Sequence, residues 1–200
     1  DRAAGAIKSG GTTRRAAKMV CLDLDHPEIE DFIDWKVKEE QKVSALVAGS
    51  RIHLQKLKEV AESCFDEKGA VVLDIEKNEN LRTALRAARA QFVPDAYLHK
   101  VLQMVKMGCQ EIDFPVFDVD WQSEAYETVG GQNANNSIRV SNRFFEALES
   151  GENWQLKRRT DGEVYKEISA EQLWEKIAFA AWSCADPGLQ YDTTINEWHT

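Results

Sequence analysis

The hydrophobic and polar positions of the chain switch between strand-like and helix-like periods, which predicts an α/β protein. Ala16–Asp23 alternates and then runs apolar, as expected for a buried strand of a parallel sheet. A helix should follow, because apolar residues recur at the helical spacing i, i+3, i+4, namely at Ile29, Phe32 and Ile33. Pro27 stands just before them, where the start of a helix tolerates a missing N–H group.

Residues 50–129 show helical periods with polar outer faces. The predicted helices are Leu54–Cys64, Leu81–Ala90 and Ala96–Met107. Gly108 is placed to end the last of these helices. Val71–Leu73 is a short apolar run and a possible strand. This block is therefore predicted to be a helical insertion on the outside of a sheet-based domain.

The last part of the chain returns to mixed periods. It predicts a loop over 130–136, a strand at Ser137–Val140, a helix ended by Gly151, a hairpin of Trp154–Arg158 and Glu163–Ile168, a further helix, and a strand at Leu189–Ile195. Ser169 and Gln172 form a capping-box pattern before that further helix. Three segments are thus expected: 1–49 and 130–200 as strand–helix units, and 50–129 as the insertion.

Charge and composition narrow the possible partners. The net charge of −9 argues against a general nucleic-acid binder. Basic residues are concentrated at Lys8–Lys18 and Lys157–Arg159, a distribution that suits a small anionic ligand. The chain has 43% hydrophobic residues but no apolar run of membrane-spanning length and no signal peptide. We therefore expect a cytoplasmic protein without membrane contact. Because the first residue is Asp1 and not Met, and Asp1–Ile7 has the pattern of the end of an amphipathic helix, we also expect the chain to be a part of something longer.

The cysteines and histidines are widely scattered. The four cysteines, Cys21, Cys64, Cys109 and Cys184, show no C-x-x-C spacing, so we expect no zinc site and no disulfide. We interpret all four as reduced, small buried side chains. The four histidines are too dispersed to predict a metal site.

The segment Lys8–Arg15 has the chemistry of a phosphate or nucleotide loop. Adjacent glycines allow close approach of the backbone, hydroxyls can donate to phosphate oxygens, and arginines offer bidentate forks. The residues are Lys8, Ser9, Gly10, Gly11, Thr12, Thr13, Arg14 and Arg15. The segment does not match the Walker pattern. The alternative is a surface turn with solvated basic residues.

A second motif is the pair Asp23-x-Asp25 after the first strand. Haloacid-dehalogenase phosphatases place two aspartates with this spacing at a strand end. Here His26 and Pro27 follow, where that family has a flexible Thr or Gly position. The favoured interpretation is that both carboxylates are solvated and stabilise the positive end of the next helix.

Three stretches in order resemble the large catalytic subunit of ribonucleotide reductases, and most closely the adenosylcobalamin-dependent class. They are Ala6–Ile33, with Gly-Gly-Thr-Thr-Arg-Arg and Asp-His-Pro-Glu-Ile, then Asn135–Val140, and finally Ala180–Leu189, with Cys-Ala-Asp-Pro-Gly. The resemblance covers nearly all 200 residues and is least distinctive over Ser50–Val129. It implies a part of a ten-stranded α/β barrel, whereas periodicity alone predicts only an α/β sheet.

The resemblance also implies the chemistry. A cysteine radical, generated with adenosylcobalamin, would abstract the 3′-hydrogen of a ribonucleotide, and a dithiol would supply electrons. Lys8–Arg15 corresponds to the loop between a deoxynucleotide effector and the substrate base. The implied partners are the ribonucleotide substrate, the effector, a thioredoxin-type reductant and a second subunit in a homodimer.

The resemblance assigns no catalytic residue to this stretch. The family's radical cysteine lies in an Asn-Pro-Cys-type finger loop, and none of the four cysteines has that setting. The 200 residues alone are therefore expected to be inactive. The other hypotheses are a nucleotide-binding regulatory module without catalysis and, less favoured, a phosphatase built on Asp23 and Asp25.

Overall fold

A computed structural model of the chain describes residues 3–4, 8–9, 14–15, 18–109, 111–120, 123–131 and 133–200. The chain forms two compact units. The first comprises Asp1–Lys42 and Val129–Thr200, and the second comprises Val43–Thr128. The division falls inside the 34-residue helix α1, Ile29–Glu62. Mixed α/β structure, as predicted from the periods, is confirmed.

The strands in the described residues are β1 Lys8–Ser9, β2 Arg14–Arg15, β3 Lys18–Asp23, β4 Ala134–Val140, β5 Asn153–Lys157, β6 Val164–Ser169 and β7 Gly188–Tyr191. The helices after α1 are α2 Glu79–Ala90, α3 Asp95–Lys106, α4 Glu124–Glu127, α5 Asn142–Ser150, α6 Ala170–Cys184 and α7 Asp192–Trp198. None of the described helices combines the length and apolar character that crossing a membrane requires.

A parallel three-stranded sheet organises the first unit. Its strand order is β3-β4-β7, and both pairings are parallel. Cys21 pairs with Ser137, which in turn pairs with Gly188. Since paired residues of neighbouring strands share a face and successive residues alternate, the register fixes which side chains lie together.

Helices α1, α5 and α6 cover one face of this sheet. Ile138 and Val140 of β4 are fully buried against apolar residues from all three helices. The helical members of this core are Ile29, Phe32, Ile33, Phe144, Ala147, Ala170, Leu173, Ile177 and Ala180. The predicted stripe of α1 thus forms part of the core, as its spacing indicates.

The β5–β6 hairpin is antiparallel and packs on the same core. Leu156 is fully buried, and Trp154 Nε1 donates a hydrogen bond to the carbonyl oxygen of Leu24 at 3.3 Å. The capping box is confirmed in part, since Ser169 Oγ accepts from the N–H of Gln172 at 3.3 Å. The hairpin is therefore tied to the residue that follows β3.

The second unit is helical and has its own core. Leu57, Val60 and Cys64 of α1 pack with apolar residues of α2 and α3. Asn78 caps α2, because its Oδ1 accepts from the N–H of Leu81 at 2.9 Å. Gly108 follows α3 with φ +84°, as the helix end requires. Val71 forms only an isolated bridge with Phe65, so no strand develops there.

Three sequence expectations are wrong. The sheet strand β4 begins at Ala134, inside the predicted loop, because its parallel pairing with β3 starts there. The predicted strand Leu189–Ile195 ends at Tyr191, and α7 follows. Its β-branched residues favour a strand locally, but Asp192 begins a helical turn in which Asn196 Nδ2 donates to the Asp192 carbonyl. Strand β3 was predicted to be buried, but its inner residues Val20 and Leu22 are half-buried and Met19, on the other face, is 63% exposed.

Candidate functional site

The structure describes the two ends of the predicted loop Lys8–Arg15, and these ends form two short paired strands. Lys8 pairs with Arg15 and Ser9 with Arg14, in antiparallel register. Gly10, Gly11, Thr12 and Thr13, which connect the strands in sequence, lie outside the described residues. The backbone of Lys8, Ser9, Arg14 and Arg15 therefore forms the base of a hairpin-like element.

This element precedes the amino end of the parallel sheet along the chain. Strand β3 begins at Lys18, whose N–H donates to the carbonyl oxygen of Asn133 at 3.4 Å. Strand β4 begins at the next residue, Ala134. The amino ends of β3 and β4 are thus linked by a hydrogen bond, three residues after Arg15 in the sequence.

A glycine pair follows α4 and packs on α1 near the start of β4. Gly130 donates its N–H to Glu39 Oε2 at 2.9 Å. Gly131 has φ +80°, and a Cβ there would meet the Trp35 ring at 3.4 Å. The Lys42 ammonium, together with the Gly130 N–H, holds the pKa of Glu39 below its usual value, against a smaller opposing effect of burial. The backbone of the two glycines therefore packs closely against the side chains of Trp35 and Glu39.

Lys36 and Asp186 contribute to the same end of the sheet, and sequence patterns did not single them out. Lys36 Nζ donates to the carbonyl oxygen of Ala134 at 2.5 Å and forms an ion pair with Asp186. Asp186 lies two residues before β7. The sequence signal that could have identified Lys36 is its place on the buried side of an amphipathic helix, because a charge there needs a partner.

The sheet face opposite the helices is polar. By alternation it carries Asp23, Cys21 and Met19 of β3, Arg139, Ser137 and Asn135 of β4, and Gln190 and Gly188 of β7. Met19, Cys21, Asn135 and Arg139 are exposed, while Ser137 is buried. The described residues thus place hydroxyl, amide, thiol and charged groups together on this face.

The carboxyl ends of the strands hold an ion-pair network. Arg139 of β4 pairs with Asp192 and lies 3.7 Å from Asp23. Arg159, from the hairpin, contacts Asp25 at 2.5 Å and Asp23 at 3.5 Å. The carboxylates raise the pKa of both guanidinium groups, with Asp192 the main cause for Arg139 and Asp25 for Arg159. Asp23 therefore links two arginines from different elements.

A cleft of about 790 Å³ lies beside this network, between the hairpin and α5. Arg143 and Lys157 also line it, together with Glu146 and Glu152. The mixture of both signs gives the cleft no marked preference for an anion. Asp23 and Asp25, the two aspartates of the phosphatase-like motif, are engaged with arginines here.

The cysteines do not all behave as expected. Cys64 is buried, and burial raises the pKa of its thiol. Cys184 is half-buried, and burial likewise raises the pKa of its thiol. Cys21 and Cys109 are exposed, so the expectation that all four are buried is wrong for these two. For Cys21 the reason is its position on the polar sheet face.

Comparisons with known proteins bear on these observations. A family model described as "Ribonucleotide reductase, barrel domain" matches residues 1–200. The chain is similar over its whole length to proteins named vitamin B12-dependent ribonucleotide reductase. It is 55% identical to the one from Bradyrhizobium diazoefficiens, 52% identical to that from Agrobacterium fabrum and 38% identical to that from Streptomyces avermitilis. The chain spans 14–16% of the length of these relatives.

Proposed function

Since the chain belongs to the ribonucleotide reductase family, matching its barrel domain, we propose that it is part of a large catalytic subunit that reduces ribonucleotides to deoxyribonucleotides. We further propose that this subunit depends on adenosylcobalamin. Supporting this are identities of 52–55% over the whole chain to relatives named vitamin B12-dependent reductases. Because the chain spans about a sixth of their length, the activity belongs to the longer polypeptide.

The observation that carries the proposal is the sheet with one apolar and one polar face. Three parallel strands with one face covered by helices are what an arc of an α/β barrel requires, with its other face turned inward. The groups on that face can hydrogen-bond a nucleotide. We propose that this arc belongs to a ten-stranded barrel, and that residues 50–129 are its helical insertion.

The loop Lys8–Arg15 is proposed to lie between the deoxynucleotide effector and the substrate base. Its support is local: paired strands at Lys8–Ser9 and Arg14–Arg15 hold the ends of a segment containing Gly10 and Gly11. Glycine can adopt positive φ, which is a property that a loop able to rearrange requires. Arg14 is the residue proposed to contact the substrate base or phosphate, with Arg15 as the second choice.

We assign no cobalamin contact to the described residues. The cleft at the carboxyl ends of the strands is lined by charged groups of both signs, several of which are paired with one another. We therefore derive no step through the cofactor. What this chain's own residues supply is nucleotide binding and orientation.

The remaining partners are proposed on family grounds. They are a thioredoxin-type reductant, a deoxynucleotide effector and a second subunit of the same kind, in the cytoplasm. A regulatory nucleotide-binding module is the second candidate, because a loop that binds an effector needs no catalysis of its own. The two proposals differ in whether the full-length polypeptide forms deoxynucleotides.

The test uses the full-length polypeptide with adenosylcobalamin, a dithiol and each ribonucleotide. Turnover that responds to deoxynucleotide effectors supports a reductase, whereas nucleotide binding without turnover favours the regulatory module. Gly10→Ala and Arg14→Ala should flatten the effector-dependent choice among substrates without abolishing turnover, since such coupling is typically ~1–3 kcal/mol. Unchanged specificity in both variants would reduce the loop to a basic surface turn. The isolated 200 residues should form no deoxynucleotide.

A further inference from the structure

A row of three small residues crosses the polar face of the sheet. Cys21 pairs with Ser137 in the parallel register, and Ser137 pairs with Gly188. The rows on either side carry longer side chains, which on β4 are the exposed Asn135 and Arg139. Because longer side chains extend further from the plane of a sheet, the three small residues form the floor of a shallow trough.

The hydroxyl of Ser137 lies on this floor and has no partner. Ser137 is 6% exposed, and a methyl group on Gly188 would lie 3.5 Å from its Oγ. Among the residues that the structure describes, none forms a hydrogen bond with this hydroxyl. Buried hydroxyl groups in proteins are usually hydrogen-bonded, so this one has an open position for a donor or an acceptor.

A second buried serine in the described part of the chain shows what a satisfied hydroxyl looks like. Ser50 is 7% exposed. Its Oγ donates to the carbonyl oxygen of Val47 at 3.0 Å and accepts from the N–H of Phe117 at 3.1 Å. The unpartnered hydroxyl of Ser137 is therefore a property of the trough and not of buried serines in this protein.

The floor of the trough offers uncharged groups: a thiol, a hydroxyl and the backbone of a glycine. The guanidinium in the adjacent row, that of Arg139, pairs with Asp192 and lies 3.7 Å from Asp23. A phosphate group would call for cations that are free of such partners, whereas a sugar or a base presents neutral donors and acceptors. Gly188 has no Cβ, so a flat group can approach the backbone there closely. The trough thus suits the nucleoside part of a nucleotide.

We propose that Ser137 hydrogen-bonds the nucleoside part of the bound nucleotide, which lies in the trough over Gly188 and beside Cys21. A hydroxyl both donates and accepts, so it can bind a ribose hydroxyl or the polar edge of a base. This subsite rests on the proposed function, in which the polar face of the sheet binds a nucleotide.

The first experiment measures turnover of each ribonucleotide by the full-length polypeptide carrying Ser137→Ala. We expect KM to rise about 5-fold, as for the loss of one neutral hydrogen bond, while kcat changes less than about 2-fold. An equal rise for every base would assign the bond to the ribose, and a rise confined to one base would assign it to the base edge. Both results support the subsite. An unchanged KM for every ribonucleotide would overturn it, because water would then be the partner of the hydroxyl.

Ser50→Ala is the matched control, because it truncates an equally buried serine. It should lower the melting temperature, since two internal hydrogen bonds are lost, and leave KM unchanged. Ser137→Ala should keep the melting temperature of the nucleotide-free polypeptide, because it removes no bond to a described residue. The opposite pattern, a destabilised Ser137→Ala polypeptide with the wild-type KM, would make Ser137 a structural residue and overturn the subsite.

Gly188→Ala tests the trough while leaving the hydroxyl in place. Gly188 is not among the described glycines with positive φ, and the added methyl would be in ordinary contact with Ser137 Oγ, so the variant should fold. The methyl would occupy the floor of the trough, and we expect KM to rise about 10-fold or more. Gly49→Ala, where an added Cβ meets nothing within 4 Å, should keep the wild-type KM. Equal KM values for the two variants would overturn the trough as a binding site.

Failure of the subsite can be told apart from failure of the proposed function. If the unmodified polypeptide forms no deoxynucleotide, the proposed reductase function fails, and the Kd of each ribonucleotide for the Ser137→Ala polypeptide then replaces KM as the test of the subsite. If the unmodified polypeptide does form deoxynucleotides, and both Ser137→Ala and Gly188→Ala keep the wild-type KM, only the subsite is overturned.

Discussion

The two ends of the parallel sheet use charge in opposite ways. At the amino ends the ion pair between Lys36 and Asp186 is largely buried. At the carboxyl ends Arg139 and Arg159 share three aspartates, and the five side chains are 32–51% exposed. The same kind of interaction is thus placed once in a low-dielectric setting and several times in contact with water.

The two ends of the sheet are therefore expected to respond differently when an ion pair is broken. Breaking a buried pair leaves a charge that water cannot solvate, whereas an exposed pair is readily replaced by hydration. We therefore expect the amino ends to be held in one arrangement and the carboxyl ends to tolerate substitution. The contrast also runs along β3, whose six residues separate Lys18 from Asp23 by about 17 Å at ~3.3 Å per residue.

The largest effect should come from Asp186→Ala, which leaves Lys36 buried without its carboxylate. Local stability at the start of β4 should fall by about 3–5 kcal/mol. Hydrogen exchange of the Ala134 amide in the full-length polypeptide measures it. The comparison variant is Asp192→Ala at the other end of the sheet. If both variants lose the same protection at their own ends, the contrast between the ends disappears.

Gly131→Ala should have the next largest effect. Its φ of +80° costs any L side chain about 1–2 kcal/mol, and the added methyl would press on Trp35. The control is Gly49→Ala inside α1, where a Cβ would meet nothing within 4 Å and helix propensity predicts a gain of ~0.5–1 kcal/mol. In thermal denaturation, Gly131→Ala should lower the melting temperature and Gly49→Ala should raise it. A stabilising Gly131→Ala would contradict the close fit at the amino end.

A smaller effect is expected at the carboxyl ends. A double-mutant cycle between Asp25 and Arg159 should give a coupling of about 0–1 kcal/mol, because the two side chains are 33% and 41% exposed. The coupling should weaken further at a salt concentration of about 0.5 M, because salt screens the attraction between exposed charges. A salt-independent coupling above ~2 kcal/mol would show that this network resembles the buried pair.

The smallest expected effect is a loss of hydrogen-exchange protection at acidic pH. The folded pKa of Glu39 lies below its usual value near 4.5, so its contribution is complete at neutral pH and is lost as the pH falls through the folded value. Protection of the Gly130 amide, which donates to Glu39, should decline in that range. Glu39→Gln should remove this pH dependence. Persistence of the decline in that variant would assign it to another group.

The sequence predicted the elements that local signals define. Periodicity and caps predict the helices α2, α3, α5 and α6, and the two strand-like segments Trp154–Arg158 and Glu163–Ile168 predict the β5–β6 hairpin. It failed after Tyr191, where β-branched residues favour a strand but Asp192 begins α7, with Asn196 bonding back to it and Arg139 pairing with it from β4. It also failed for Cys21, because an apolar run does not reveal which face of a sheet is covered.

For the candidate site, the sequence singled out the loop, which stays a prediction, and the Asp23–Asp25 pair, but not the partners of these aspartates. Gly10, Gly11 and the flanking cations are recognisable by composition, whereas Lys36 meets the Ala134 carbonyl 98 residues away. Arg139 and Asp192 are 53 residues apart. Such pairs arise from strand order and register, which no local spacing contains. A charged residue on a buried helix face signals that a partner exists without identifying it.

The position of Cys21 gives the molecule a built-in chemical reporter. Its thiol is exposed on the polar sheet face, while Cys64 is enclosed in the helical core. A maleimide probe should therefore label Cys21 readily wherever that face is open and slowly wherever a closed barrel shields it. Cys109, exposed in the other unit, provides the internal reference for reagent access. The labelling rate of Cys21 relative to Cys109, measured by mass spectrometry, therefore reports whether the polar sheet face is enclosed.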